Sequence, residues 1–327
     1  MKIGITEVAA RAEVSEATVS RVINRRTGVS AKTREAVERA MAELGYERST
    51  RGHLVAVITP QLSNPFFADV AELIEGALAP HGLKGVLCPA LPGGIQEREF
   101  VTALADHGVA GVVFLSASNT LESADPETYN VLAARRIPFV GVNGGFEGHD
   151  APVLSTDDHM AAELAVDHLW ALGHRRIGLA SGPSGNKVAD RRAEGFRTAL
   201  RRRGVADALV VRQYYTIEGG QTATAELLAQ GATAVVAASD YMALGAIRAV
   251  RRQGLSVPED VSIVGHDGSM IMEFVDPPLT TVRQPVDRLA KAVARSIVAL
   301  VGNQDVPKGE LLFSPELVVR ASTAPPR

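Results

Sequence analysis

The sequence predicts an α/β protein in which a headpiece of three short helices precedes a two-lobed body of parallel, doubly wound sheets. Residues 1–46, the headpiece, show helical periodicity. From residue 53 onward, in what we call the body, short β-branched runs alternate with amphipathic stretches, which is typical of βαβ units. About 270 residues of this pattern exceed one sheet of ordinary size, so two lobes are expected.

The composition is that of a globular protein. The chain has 327 residues, of which 46% are hydrophobic and 22% charged, which excludes a disordered protein. It contains no apolar run near the ~18 residues of a membrane helix, and its first residues lack the apolar core of a signal peptide. We therefore expect a cytoplasmic protein.

The single cysteine and the charge balance narrow the possible chemistry. Cys88 is the one cysteine, so neither an intrachain disulfide nor a thiolate metal cluster is possible, and we expect it to be a small buried apolar residue. Residues 1–51 hold 10 basic and 7 acidic side chains, whereas the remainder holds 24 and 30. The basic excess hints at a polyanionic partner of the headpiece but is too small to decide it.

In the headpiece, hydroxyl residues and apolar spacing define the three helices. Thr6 is predicted to cap the first helix and Ser15 the second, Glu16 to Asn24, while the third begins near Ser30 and ends at Gly45. Apolar positions predicted to be buried are Val19, Val22 and Ile23 on the second helix and Val37, Ala40, Met41 and Leu44 on the third.

The polar face of the second helix has the chemistry of a DNA-reading surface. Two short helices joined by a tight turn and braced by a third describe a helix-turn-helix, whose second helix enters the major groove. Arg21 could donate two hydrogen bonds to guanine, and Ala17 could contact a thymine methyl group. Phosphate contacts are predicted for Ser15, Thr18, Ser20, Asn24, Arg25, Arg26, Lys32 and Arg34. The spacing alone fits equally well a three-helix packing module with an arbitrary polar face.

In the body, the apolar runs and the stretches between them predict alternating strands and helices. The clearest predicted strands are Leu54–Thr59, Gly85–Cys88, Gly111–Leu115, Phe139–Val142, Ile177–Ala180, Ala234–Ala237 and Val261–Gly265. The clearest predicted helices are Phe66–Pro80, Met160–Leu172, Ala189–Arg203 and Tyr241–Gln253.

Polar and aromatic residues recur where the predicted strands end. They include the run 60–67, Asn143, Ser239-Asp240 and His266-Asp267, with Arg191 and Arg192 at a helix start. In doubly wound folds ligands bind at the carboxyl ends of the strands, and carboxylates, arginines and aromatic rings together suit a sugar. Each residue alone could be a loop-stabilising group; the recurrence favours a cleft. His266 could protonate beside Asp267 and tune the site, although a tolerated strand-end histidine is the favoured interpretation.

Enzymatic activity and sugar uptake are the competing functions. We find no G-x-S-x-G elbow, no dinucleotide fingerprint or phosphate-binding loop and no metal-binding histidine spacing, so we predict no catalytic residues, metal or cofactor. An uptake protein should carry a secretion signal and no DNA-reading headpiece.

Long stretches of the chain resemble the lactose/galactose repressor family of bacterial transcription regulators. In the headpiece these are V-S-x-x-T-V-S-R-V-x-N and V-S-x-x-T-R-x-x-V-x-x-A-x-x-x-L-G-Y; in the body they are SNPFF, VDHLWALGHRRIGLASGP, RRAEGF, ASDYMALGAIRAVRRQGLSVPEDVSIVGHD and DPPLTTVRQP. The resemblance implies a helix-turn-helix headpiece (1–46), a short linker (47–54) and a two-lobed effector-binding and dimerisation domain (55–322) similar to periplasmic sugar-binding proteins.

The resemblance also implies site residues. Glu16, Ala17 and Arg21 occupy base-reading positions, and the whole predicted DNA-contacting set is Thr6, Ser15, Glu16, Ala17, Thr18, Ser20, Arg21, Asn24, Arg25, Lys32 and Thr33. The predicted effector-contacting set is Phe66, Asn143, Arg192, Tyr215, Ser239, Asp240 and Asp267. The segments LGYER, PGG, YTIEGGQ and PELVVR resemble actinobacterial maltose regulators.

The implied function is a homodimeric repressor that a sugar, with maltose or a malto-oligosaccharide as first candidate, releases from a pseudopalindromic operator. Another sugar, or a metabolite acting as co-repressor, remains an alternative. No heptad-bearing tail follows Arg320, so a coiled-coil tetramer is not expected.

Three positions depart from the family pattern. Only Glu47 to Leu54 separates Tyr46 from Val55, which is too short for the family's hinge helix, whose leucine wedges into the minor groove. We therefore expect weaker or differently coupled operator bending. Ser239 stands where many relatives have Asn, and Gly268 where a second Asp is common; both leave the identity of the sugar open.

Overall fold

A computed structural model describes residues 4–23, 28–44, 52–90 and 97–327. The chain divides into two compact units, Met1–Gly52, which contains the headpiece, and His53–Arg327, the body. Several predictions lie outside the described residues: Asn24, Arg25, Arg26, Gly45 and the linker up to Arg51. Nothing is described for the side chain of Ile23 either.

Three helices form the headpiece: α1 (Ile5–Arg11), α2 (Glu16–Ile23) and α3 (Ala31–Glu43). Their shared core confirms the predicted burial of Val19, Val22, Val37 and Ala40, with Val8 added from α1. Met41 and Leu44 are only partly buried against this core.

Side-chain caps fix where the headpiece helices begin. The hydroxyls of Ser15 and Ser30 accept hydrogen bonds from the amides of Thr18 (3.2 Å) and Thr33 (3.1 Å), so both act as N-caps. The predicted capping role of Thr6 is wrong. Helix α1 begins one residue before it and is capped at Gly4, whose amide donates to the Glu7 carboxylate at 2.9 Å.

The body contains two six-stranded sheets with helices on both faces of each. Its strands are β1 (Leu54–Thr59), β2 (Lys84–Pro89), β3 (Gly111–Leu115), β4 (Phe139–Val142), β5 (Pro152–Thr156), β6 (Ile177–Ser181), β7 (Leu209–Arg212), β8 (Ala234–Ala237), β9 (Ser262–Asp267), β10 (Thr280–Arg283), β11 (Gly309–Phe313) and β12 (Glu316–Val318). Its helices are α4 (Pro65–Leu78), α5 (Glu97–Asp106), α6 (Glu127–Ala134), α7 (Asp158–Ala171), α8 (Lys187–Arg201), α9 (Ile217–Ala229), α10 (Asp240–Arg252) and α11 (Val286–Val301).

Each sheet is the centre of one lobe. The first lobe has the strand order β11-β5-β4-β3-β1-β2 and the second β12-β10-β9-β8-β6-β7. Every described pairing between these strands is parallel except β10 with β12. The predicted two-lobed, doubly wound body is therefore present, and every predicted strand and helix appears within two residues of its predicted bounds.

Along each strand, alternate side chains point to opposite faces of the sheet and pack into the hydrophobic core on that face. In β1, Val55 and Val57 face one core of the first lobe, while Ala56 and Ile58 face the other. Cys88 belongs to the second of these cores, where burial raises the pKa of its thiol to about 11. The cysteine thus behaves as the small apolar residue that was predicted.

The chain crosses between the lobes three times, at 156–158, 283–286 and 313–316. These crossings are bonded to one another. The Thr156 hydroxyl donates to the Gln284 side-chain oxygen at 2.6 Å, and the Asp157 amide donates to the Phe313 carbonyl at 2.9 Å. Side chains at the crossings consequently lie where the two lobes meet. No helix in the described parts of the chain has the length and apolar character that crossing a bilayer requires.

Candidate functional site

A cavity of about 720 Å³ lies between the lobes, at the carboxyl ends of the strands of both sheets. Six of the seven predicted effector-contacting residues line it: Phe66, Asn143, Arg192, Tyr215, Ser239 and Asp267. The remaining wall consists of Pro60, Gln61, Asn64, Phe67, Ala90, Glu97, Ser116, Ala117, Ser118, Thr120, Leu121, Asn186, Val188, Tyr214, Thr216, Ala238 and Gln284. The wall mixes aromatic rings with converging polar groups, as ligand sites do.

Arg192 is held by a buried carboxylate that the sequence analysis did not single out. Asp158, the first residue of α7, accepts from Arg192 Nη2 at 2.9 Å and from Arg191 Nε at 3.0 Å. Arg192 Nη1 also donates to the Ala238 carbonyl at 2.6 Å. Both Asp158 and Arg192 are almost fully buried, so Arg192 depends on Asp158 as its ion-pair partner, while Asp158 pairs with Arg191 as well. The guanidinium is fixed in place at the cavity wall.

Asn143 follows β4 in a left-handed conformation (φ 63°), which asparagine tolerates better than most residues. Its amide nitrogen donates to the Ser116 hydroxyl at 2.9 Å, and its side-chain oxygen accepts from the Thr156 amide at 3.2 Å. Arg191 donates to its carbonyl at 3.0 Å. These contacts orient the side chain at the cavity wall.

Asp267 ends β9 with φ 116°, a conformation that costs a non-glycine residue ~1–3 kcal/mol. Its carboxylate accepts from Gln284 at 2.9 Å and from Asn64 of the first lobe at 3.5 Å. Burial raises the pKa of Asp267 to about 6, against the lowering effects of Arg192 and of these hydrogen bonds. Strain and burial at a cavity wall are typical of a functional carboxylate.

Asp240 does not line the cavity, unlike the other predicted effector residues. Its carboxylate is fully buried and accepts from the amides of Gly268 and Ser269 at 3.0 and 2.8 Å and from the Thr281 hydroxyl at 2.6 Å. Burial, and then the charge of Asp267, raise the pKa of Asp240 to about 8. The residue braces the loop after β9, so we leave it out of the proposed ligand contacts.

Gly268 and Ser239, the two departures from the family pattern in the cleft, each have a local structural role. Gly268 has φ +80°, and a Cβ there would lie 2.5 Å from the Cβ of Arg283, so backbone and space both favour glycine. The Ser239 hydroxyl accepts from the Met242 amide at 3.1 Å and caps α10 while also lining the cavity.

Tyr215 packs its ring over Gly182, where a Cβ would lie 2.3 Å from the ring. Its hydroxyl is buried without a hydrogen-bond partner among the described residues, and burial raises its pKa to about 12. The hydrogen-bonding capacity of this hydroxyl is therefore unused among the described residues. His266 lies nearby in the second lobe, and burial, with a further effect of Arg192, lowers the pKa of its ring well below the usual value. This shift disfavours the protonated form of His266 that was considered as an alternative.

Further hydrogen bonds join the two lobes around the cavity. The Tyr241 hydroxyl donates to the Ser63 carbonyl at 2.5 Å, and the Glu122 amide donates to the Gly185 carbonyl at 2.8 Å. Together with the contact between Asn64 and Asp267, they hold the lobes together over the cavity. A ligand in this position would touch both lobes at once.

Polar residues at or beside the cleft that were not predicted as effector contacts include Asn64, Glu97, Asp158 and Gln284. Asp158 and Gln284 follow β5 and β10 at the lobe crossings, so the rule that was applied to Asn143 could have found them. Asn64 lay inside the run 60–67 that had been noted. Glu97 gave no such signal, because it opens a helix that was not predicted.

In the headpiece, α2 exposes Glu16, Ala17 and Arg21 on the side away from Val19 and Val22. Thr6 donates from its hydroxyl to the Glu16 carboxylate at 2.9 Å, which brings together two predicted DNA-contacting residues. The predicted phosphate-contacting residues Ser15 and Lys32 are also exposed, while Thr18, Ser20 and Thr33 are half-buried.

The described residues contain no group of three histidine, cysteine or acidic side chains placed to hold a metal ion.

Comparison with known proteins places the chain in a family. The model of bacterial regulatory proteins, lacI family, matches residues 4–49, and that of the periplasmic binding protein-like domain matches residues 166–323. The HTH-type transcriptional regulator MalR of Streptomyces coelicolor is 47% identical, covering 98% of this chain and 96% of that protein. The Escherichia coli repressor CytR is 34% identical over 97% of this chain and 95% of its own length.

Solved structures agree with these sequence comparisons. A complex of the transcriptional regulator CelR with cellobiose is 34% identical with a TM-score of 0.75, covering 98% of this chain and 99% of that one. A lac repressor dimer bound to operator and the anti-inducer ONPF is 30% identical with a TM-score of 0.72, covering 99% and 100%. These relatives are regulators and repressors, not enzymes. The chain therefore belongs to the lacI family of bacterial regulatory proteins and is a DNA-binding transcriptional regulator with a sugar-binding domain.

Proposed function

We propose that the protein is a repressor whose operator binding is released by a small sugar bound between its lobes, with maltose or a malto-oligosaccharide as the first candidate. The observation that carries the proposal is the cavity at the lobe junction, where Arg192, Asp267 and Asn143 are held in fixed orientations. The relation to MalR of Streptomyces coelicolor and the cellobiose complex of CelR support a carbohydrate effector.

In this proposal the rigid polar wall selects the sugar. Arg192 Nε and Nη2 are already bonded to Asp158 and Nη1 to Ala238, so the guanidinium is fixed and keeps one hydrogen on each Nη atom for the ligand. The Asp267 carboxylate accepts sugar hydroxyls beside it, and Phe66 and Tyr215 offer apolar ring surface to the sugar. Because these groups are held before binding, little ordering free energy is lost on binding.

The sugar acts on DNA binding through the lobes. Residues of both lobes contact the cavity, so the ligand favours one relative arrangement of the lobes over another. In a dimer that change alters how the two headpieces match a pseudopalindromic operator. The operator affinity can change only by the ligand's differential affinity for the two states, typically ~1–3 kcal/mol.

We assign operator contacts to the headpiece and propose a homodimer. Glu16, Ala17 and Arg21 read bases, while Thr6, Ser15, Thr18, Ser20, Lys32 and Thr33 position the helix on the backbone. The lac repressor dimer on its operator supports this arrangement. Exposed apolar side chains in the second lobe, Met270 (75% exposed), Ile271 (53%) and Phe274 (74%), are consistent with a protein interface. Analytical ultracentrifugation at micromolar concentration tests the dimer.

The deciding experiment measures fluorescence anisotropy of a labelled pseudopalindromic operator from the protein's own gene neighbourhood, at fixed salt, with and without maltose. We expect tight binding that maltose weakens by about 5- to 150-fold. Asp267→Asn is the matched variant: it keeps the side-chain shape and should bind the operator but respond less to maltose. Tight binding without a maltose response would overturn the choice of effector, and the absence of specific binding would overturn the repressor assignment.

A further inference from the structure

The cavity extends across several strand ends of each lobe. In the second lobe its wall runs from Gln284, which follows β10, to Tyr214, which follows β7 at the other side of the sheet. These strands are four spacings apart, which corresponds to about 19 Å. In the first lobe the wall runs from Asn143 after β4 to Ala90 after β2, three spacings or about 14 Å. A single pyranose ring would fill only part of this length.

The polar groups at the β10 side of the cavity already form one binding position. Asn64 and Gln284 both donate to the Asp267 carboxylate there, and Arg192 is fixed close by through Asp158. This is the position that the proposed function assigns to the first sugar ring.

Glu97 is a further polar group of the cavity wall, on the first lobe. Its carboxylate accepts from the Ser118 amide at 3.1 Å and also from the Ser118 hydroxyl. The Ser118 hydroxyl lies 3.0 Å from the hydroxyl of Tyr129, a fully buried residue of α6. Each Glu97 oxygen has one of these protein donors and keeps acceptor capacity for another. The carboxylate is thus oriented at the cavity wall and able to accept hydrogen bonds from hydroxyl groups of a ligand.

Tyr214 provides an aromatic surface on the second lobe. Its side chain is 73% exposed, in contrast to its neighbour Tyr215, although both line the cavity. An exposed tyrosine ring at a cavity wall offers apolar surface to the face of a sugar ring. A carboxylate together with an aromatic ring is the same combination of groups that lines the first position.

We propose that Glu97 and Tyr214 form a second sugar subsite, which receives the next ring of an oligosaccharide and makes the protein select oligosaccharides over monosaccharides. Glu97 accepts hydroxyl hydrogens of that ring, and Tyr214 packs against its face. The inference rests on the proposed carbohydrate effector. It adds the residues that determine how many sugar rings the effector has.

Isothermal titration calorimetry on the full chain tests the subsite with glucose, maltose and maltotriose. The wild-type protein should bind maltose and maltotriose more tightly than glucose, by tenfold or more. Glu97→Gln and Tyr214→Ala should each weaken maltose binding by about tenfold, equivalent to ~1.4 kcal/mol, and leave glucose binding unchanged. Tyr214→Phe, which keeps the ring, should retain the wild-type preference. Fluorescence of the single tryptophan, Trp170, checks that each variant is folded.

Two results overturn the second subsite while the carbohydrate effector stands. One is a wild-type protein that binds glucose as tightly as maltose; the other is a pair of variants with an unchanged ratio of maltose to glucose affinity. If none of the three sugars binds to the wild-type protein, the maltose-type effector fails as well, before any variant is measured.

Discussion

The side chains of α2 and those of the cleft are held in different ways. On α2, Glu16, Ala17 and Arg21 are exposed, and the helix is anchored by Val19 and Val22 on its opposite side. In the cleft, Arg192 and Asp267 are 6% and 7% exposed, and bonds from distant parts of the chain hold them. We therefore expect substitutions on the α2 surface to leave folding intact, whereas substitutions of Arg192, Asp267 or their partners should affect both binding and stability.

The strongest test of this contrast removes Asp158. In Asp158→Ala, the Arg192 guanidinium stays buried with the Ala238 carbonyl as its remaining described partner. Loss of the direct ion pair of this buried charge should lower the free energy of unfolding by ~3–5 kcal/mol. Urea unfolding followed by Trp170 fluorescence measures it, because Trp170 lies on the same helix, α7.

Asp150→Ala is the control for Asp158→Ala. Asp150 pairs with Lys308 at 3.1 Å, but both side chains are largely exposed, 72% and 63%. Removing this exposed pair should change the free energy of unfolding by less than about 1 kcal/mol. Equal losses in the two variants would mean that Asp158 compensates no buried charge.

The second test addresses α2. Arg21→Ala should reduce operator affinity by ~1–3 kcal/mol and relax specificity at one base pair. Because Arg21 is exposed, the free energy of unfolding should change by no more than about 0.5 kcal/mol. Anisotropy at fixed salt gives the affinity, and circular dichroism during thermal unfolding gives the stability.

Lys32→Ala is the comparison for Arg21→Ala. As a proposed phosphate contact, Lys32 should contribute equally to operator and random DNA. If Arg21→Ala weakened both DNAs to the same extent, Arg21 would contact only phosphate. If it destabilised the headpiece strongly, the claimed independence of the α2 surface from folding would be wrong.

The same contrast explains what could be predicted from the sequence. The burial of Val19 and Val22 follows from helical spacing within one short segment, and β1 or β3 can be recognised from a single apolar run. The pairing of Asp158 with Arg192 joins residues 34 positions apart, and that of Asn64 with Asp267 joins residues 203 positions apart. Such contacts arise from the tertiary fold, so the sequence pattern placed residues at the cleft without defining their partners.

Competing hydrogen bonds explain why Thr6 does not cap α1 and why Asp240 is not among the proposed ligand contacts. Thr6 has a suitable side chain for capping, but the pairing of Gly4 with Glu7 starts α1 one residue earlier. Asp240 follows a strand as a ligand-binding carboxylate would, yet the amides after β9 and the Thr281 hydroxyl occupy its oxygens. In both cases a nearby backbone amide determined the outcome, which residue type alone does not reveal.

The smallest expected effect belongs to Tyr215→Phe, a cleft substitution that separates binding from stability. The Tyr215 hydroxyl is buried and has no hydrogen-bond partner among the described residues, so its removal should leave the free energy of unfolding unchanged or slightly higher. If this hydroxyl bonds to the sugar, affinity should fall by ~0.5–1.5 kcal/mol, about 2- to 13-fold. Urea unfolding and calorimetry with maltose measure the two quantities.

Tyr129→Phe is the matched substitution for Tyr215→Phe, because the Tyr129 hydroxyl is also buried but lies within hydrogen-bonding distance of the Ser118 hydroxyl, at 3.0 Å. Its loss should lower the free energy of unfolding by ~0.5–1.5 kcal/mol. Equal destabilisation by both substitutions would show that the Tyr215 hydroxyl supports the fold. Loss of maltose affinity in Tyr215→Phe without loss of stability would instead identify a cleft group that is held in place for the ligand, because the hydroxyl then contributes only when the sugar is bound.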